Sequence, residues 1–129
     1  MSETPTSDEP REQAVQAVYQ ADQTHQMTGD ATAGLTGKAL RLAAGVLSEV
    51  HDLDEAIELA AERWRVDRMP VVDRAILRLG LWELRHESDT PTAVILAEAV
   101  RIAKEYSTEH SGRFVNGVLS TLARQERPE

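Results

Sequence analysis

At 129 residues the chain suits one domain, or two small subdomains sharing a core. It contains no cysteine, which excludes disulfides and thiolate metal sites, and its formal charge of −8 works against diffuse binding to a nucleic-acid backbone. Apolar residues make up 41% but aromatics only 4%, so aliphatic side chains must fill the core, and no apolar run is long enough to span a bilayer.

The opening "MSETPTSDEP" is acidic and polar and lacks the basic and apolar regions of a signal peptide, so a cytoplasmic location is expected. The polar, proline-containing ends, residues 1–7 and 125–129, are expected to be disordered. No repeat at solenoid spacing occurs, and the chain between the ends reads as helices. A first helix is expected from about Asp8 to Asp22, with Pro10 and acidic residues at its start, and with Ala14, Val15, Val18, Tyr19 and Asp22 along one side. A loop with three glycines follows. The second helix spans Lys38 to Val50, with Ala39, Leu42, Ala43, Val46 and Val50 on one face. Asp52 reads as the N-cap of a third helix whose stripe is Leu53, Ile57, Ala60 and Trp64.

From Val71 to Leu84 apolar residues occupy most of the circumference, the pattern of a buried helix. Gly80 in its middle costs about 1 kcal/mol against alanine, which points to close approach by another helix. Arg74, Arg78 and Arg85 form its narrow polar edge. The fifth helix opens with Thr90 as N-cap and Pro91 at its first position, and its seam is Ala93, Leu96, Ala97, Val100 and Ala103 or Lys104. In "GRFVNGVLSTL" the Asn116-Gly117 pair is a hairpin signal. A hairpin, however, leaves a first strand of two residues. Phe114, Val115, Val118, Leu119 and Leu122 fall on one face of a helix, so Ser111 to Arg124 is expected to be helical, with Gly117 serving close packing or a partner. No strand is left, and the fold class is all-α.

"RWRVDRMPVVDRAILRLGLWEL", "DTPTAVILAEAVRIAKEYS" and "FVNGVL", in that order and spacing, resemble the NusB family of bacterial transcription antitermination factors. "REQAVQAVYQAD" resembles the family's first helix. The resemblance implies one domain, residues 1–129, built as two small perpendicular helical bundles on one core, an N-terminal subdomain over 8–64 and a C-terminal one over 65–124. It implies the partners NusE (a small ribosomal subunit protein), boxA-type RNA of ribosomal RNA leaders, and the RNA polymerase antitermination complex, with the chain itself a monomer or a homodimer. It assigns Arg11, Tyr19, Arg74 and Arg78 to RNA, and Asp73, His110, Phe114 and Asn116 to the protein partner.

Physical alternatives stand beside these roles. Arg74 and Arg78 could pair with Asp67, Asp73 or Glu83 at the rim of the buried helix. Tyr19 could be a core rim residue, and Asp73 suits the positive end of a helix dipole. The family's arginine-rich run at the head of the first helix reads Ser7, Asp8 and Glu9 here, and only Arg11 is basic. Ala97 stands where the family has Asn, Ser120 where Asp is common, and His110 where some members are acidic. Two functions follow: an antitermination factor binding NusE and boxA RNA, or a helical interaction module of the same fold with weakened or lost RNA binding. A third reading is a relative of the NusB-like domain that precedes certain ribosomal RNA cytosine methyltransferases. His25, His51, His86 and His110 lack metal-ligand spacing, and no nucleophile–base set or phosphate loop occurs. No metal, cofactor or enzymatic activity is expected.

Overall fold

A computed structural model describes residues 9–26 and 29–128. Among them the chain forms six α-helices and no strand. These are α1 (Pro10–Thr24), α2 (Gly37–Ser48), α3 (Val50–Ala60), α4 (Val71–His86), α5 (Thr92–Tyr106) and α6 (Ser111–Glu126), with short 3-10 turns at Gly29–Thr32 and Val66–Arg68. The all-helical expectation holds, and "FVNGVL" lies inside α6 rather than in a hairpin. Ser7 and Asp8 lie outside the described residues.

The organising element is α4. Every residue from Ala75 to Leu84 is buried, and α4 packs against all five other α-helices. This is the environment that an apolar circumference requires. Gly80 is where α6 comes closest: a Cβ added there would sit 2.8 Å from Leu119 Cδ1. A second close approach was not legible in the sequence. A Cβ at Gly45 of α2 would lie 2.3 Å from the Trp82 ring. That ring is buried with its Nε1 unbonded and lies 4.8 Å from the His86 ring, so packing alone holds it against Gly45. Gly45→Ala is therefore expected to destabilise by about 1–3 kcal/mol despite the better helix propensity of alanine, read as a lower denaturant midpoint.

Three expected boundaries are corrected. The third helix begins at Val50 after Glu49, so Asp52 sits in its first turn instead of capping it. It also ends at Ala60. Glu62 and Arg63 adopt left-handed backbone, with φ of 57° and 71°. The Arg63 N–H donates to Glu58 O at 2.7 Å and the Glu62 N–H to Leu59 O at 3.3 Å. This is a Schellman closure carried by glutamate where glycine is usual. Leu53 and Ile57 are buried as expected, but Trp64 falls beyond the helix and is 44% exposed.

In α5 the residue before the helix is Pro91, not Thr90, and the buried face is Ile95, Ala99, Ile102 and Ala103. The contiguous apolar run Val94–Ala97 leaves the helical phase ambiguous, and α4 and α6 decide it. Ala97, Val100 and Lys104 turn outward as a result. At the other end, residues 125–128 do not form the frayed tail expected of them. The helix continues to Glu126, and the Arg127 guanidinium donates to the carbonyls of Glu83, Leu84, Glu87 and Thr90. It satisfies the Leu84 carbonyl, one of those that the last turn of α4 leaves without a helical partner, and ties that turn to the loop after it.

Candidate nucleic-acid and partner surface

Three of the arginines assigned to RNA point inward. Arg11 of α1 is buried against Glu83 of α4, with Nε to Oε2 and Nη2 to Oε1 both at 2.9 Å. Arg74 donates to Asp22 through Nη2 at 2.8 Å, and its Nη1 reaches the carbonyls of Val66, Asp67 and Met69. Arg78 binds both oxygens of Asp54 at 2.8 and 2.9 Å and also reaches Asp22 at 3.1 Å. The partners of Arg74 and Arg78 are thus Asp22 and Asp54, not the Asp67, Asp73 or Glu83 carboxylates that their sequence neighbourhood suggests. Burial pushes the Asp22 carboxyl up, but hydrogen bonds and charge from Arg74 and Arg78 outweigh it and hold the group below its ordinary value. These groups tie α1 and α3 to α4.

The acidic head of α1 is also engaged. Glu9 is the N-cap, accepting from the Arg11 N–H at 2.9 Å. Arg101 of α5 donates to Glu9 at 3.0 Å, to Glu12 at 2.6 Å and to Glu98 at 2.9 Å. The Tyr106 hydroxyl donates to Glu12. Arg101 was not among the expected site residues, yet it neutralises part of the charge that would repel a phosphate backbone.

The residues assigned to the partner gather around the start of α6. Asp73 is buried at the first turn of α4 and accepts from the hydroxyls of Ser107 and Ser111, which fixes the α5–α6 turn. His110 and Asn116 are exposed. With Ala97, Val100, Lys104 and Arg113 they line a groove of about 600 Å³ between α5 and α6. Phe114 is half-buried, its ring 4.9 Å from that of Trp64 in an edge-on arrangement. Tyr19 is half-buried against the core. Gly117, one turn on from Phe114, is exposed, and a Cβ there would meet nothing within 4 Å. Packing within the chain therefore does not account for it.

A sequence reading that placed Trp64 in the core passed over the exposed cations that neighbour it, or its ring partner Phe114, along the chain. Arg63 and Arg68 flank the α3–α4 turn, Arg113 adjoins Phe114, and all three are exposed. The available signal was "RWRVDR" itself, two arginines bracketing a tryptophan after the last regular apolar repeat. Among the described residues, no helix is long and apolar enough to cross a membrane.

The sequence model of the NusB family matches residues 8–124. The chain belongs to the NusB family. It is 48% identical over 89 residues to the transcription antitermination protein NusB of Pseudothermotoga lettingae, covering 69% of this chain and 64% of that one. Its fold is similar to that of Thermotoga maritima NusB, with a TM-score of 0.84 and 32% identity over 92% of this chain and 91% of the other. It is also similar to a chain in a crystal structure of antitermination factors NusB and NusE in complex with dsRNA, with a TM-score of 0.77 and 25% identity over 90% and 94% of the two chains. The acidic head of α1, in which Arg11 is the one arginine, and the inward-facing Arg11, Arg74 and Arg78 are therefore features of a chain in the NusB family.

Proposed function

We propose that this chain is a NusB-type transcription antitermination factor, a cytoplasmic protein without enzymatic activity. It binds NusE and, with it, boxA-type RNA in ribosomal RNA leaders, and so helps RNA polymerase read through terminators. The observation that carries the reading is the exposed start of α6 in a chain of this family, where His110 and Asn116 line the α5–α6 groove and Gly117 stands exposed with open space around it. Glycine at an exposed helical position costs about 0.5–1 kcal/mol against alanine, and a partner backbone resting on it is a reason to retain it.

The deciding experiment titrates a labelled boxA RNA with this protein, alone and with NusE, across a salt series. Tight binding only with NusE, falling steeply with salt, is expected. No RNA binding and no NusE binding at any salt would defeat the proposal. Gly117→Ala adds a test of the surface. It is expected to raise the stability of the free chain by about 0.5–1 kcal/mol while weakening NusE binding. Higher stability with unchanged NusE affinity would show that no partner closes on Gly117.

The interaction-module reading is favoured by one observation, the commitment of Arg11, Arg74 and Arg78 to internal carboxylates. It takes over if NusE binds and RNA does not, even at low salt.

A further inference from the structure

We infer that the turn between α3 and α4 is a stacking platform for an unpaired RNA base, with Trp64 as the stacking ring and Arg63, Arg68 and Arg113 as its phosphate contacts. This inference rests on the RNA-binding reading above and relocates the charge that reading needs. Trp64 is one of only two tryptophans in the chain and is 44% exposed. The edge-on contact with Phe114, 4.9 Å between centroids, orients its ring. Two successive left-handed non-glycine residues, Glu62 and Arg63, aim the turn, and such strain costs energy that a buried stripe residue would not require. The strain holds Trp64 out of the helix whose apolar stripe it would otherwise extend.

Charge completes the argument. The arginines of α1 and α4 assigned to RNA are spent on carboxylates, and Arg101 is spent on the head of α1. Arg63, Arg68 and Arg113 have no carboxylate within ion-pair distance among the described residues. Arg65, in the same turn, is paired with Asp67 and is left out of the set. Glu58 and Asp67 of the same stretch are engaged by the Val66 N–H and by Arg65, so Glu62 is its one unengaged carboxylate among the described residues, set against the guanidiniums of Arg63 and Arg68 in the turn that carries the exposed indole and of Arg113 next to its ring partner Phe114. Every base has a π-face, so single-stranded RNA is the chemistry that meets both features. The same ring on a protein partner would not require the cations.

The test follows tryptophan emission and affinity together, with boxA RNA and NusE as probes and the full chain as the protein. Trp82 is buried, so a base stacked on Trp64 is expected to quench the exposed component of the emission on RNA addition. Trp64→Phe keeps a ring against Phe114 and is expected to abolish the quench with affinity nearly retained. Trp64→Ala is expected to weaken RNA binding about 5- to 150-fold. Because Trp64→Ala also removes packing against Phe114, the surface variant Arg63→Gln/Arg68→Gln serves as a second test. It is expected to lower the salt slope by about 1.4, or about 0.7 per contact to a single strand, without changing NusE affinity. If RNA binds with NusE, but no quench occurs and these variants bind as the parent does, the platform is refuted and the RNA-binding reading stands. A quench produced by NusE alone assigns the surface to the protein partner and overturns the inference. Failure of the parent chain to bind RNA at any salt removes the RNA-binding reading and the platform with it.

Discussion

Glu83→Ala is expected to remove about 3–5 kcal/mol of stability, because it leaves the Arg11 guanidinium buried between α1 and α4 without its carboxylate. A domain of this size has only about 5–15 kcal/mol in total, so the variant should be partly unfolded at moderate temperature. The same logic makes Arg11→Ala a structural variant. Any loss of RNA binding it shows should be matched by a loss of fold in circular dichroism. The decisive control is Arg11→Met/Glu83→Leu, which removes both charges and refills the space. Replacing a buried ion pair by apolar groups is often neutral or stabilising, so the double variant should recover most of the lost stability. If it melts as early as Glu83→Ala while RNA affinity falls separately, Arg11 has a role at the surface that its burial argues against.

The second large effect concerns acid. The Asp22 carboxyl is held below its ordinary value, so the folded state releases that proton more readily than the unfolded chain. Its contribution to stability is therefore fully present above the unfolded value of about 3.9 and is lost as pH falls through the depressed folded value. Asp22→Asn removes that contribution at every pH and leaves Arg74 with backbone carbonyls alone, while Arg78 keeps Asp54. We expect a loss of about 3 kcal/mol at pH 7, the low end of the range for a broken buried pair. The gap between parent and variant should narrow as pH drops below about 3.9. Denaturant midpoints at pH 7 and pH 3 measure it. A gap that is unchanged at pH 3 would mean that shape rather than charge makes Asp22 necessary.

Periodicity sufficed for some of this molecule and not for the rest. The apolar circumference of α4, the glycine gap at Gly80 and the helical face through "FVNGVL" were readable because each is a local pattern with one packing solution. The phase of α5 was not, since Val94–Ala97 offers every face an apolar residue and only α4 and α6 decide which is buried. The third helix was read one turn too long because Trp64 sits at the right interval. Nothing in the spacing announces a Schellman closure made without glycine. The candidate surface was half legible. Of its residues at the start of α6, His110 and Asn116 line one groove, while Phe114 packs against Trp64 instead. The arginines were misjudged because pairing partners 24 to 72 residues away cannot be seen along a helix face.

The dependence of α1 and α3 on α4 bears on how the chain is made. A ribosome delivers Arg11, Asp22 and Asp54 well before Glu83, Arg74 and Arg78, so the first helices emerge with their counter-charges still to come. Their charged groups stay hydrated until α4 arrives, and this opposes early collapse of the exposed apolar faces onto one another. Once α4 clears the exit, the same charges select its register against α1 and α3, since a shift of one turn would bury them unmatched. Arg127 follows last, its guanidinium closing over the end of α4. The ion pairs can therefore form only after α4 is available, and until then the first half of the chain carries its charges hydrated and unpaired.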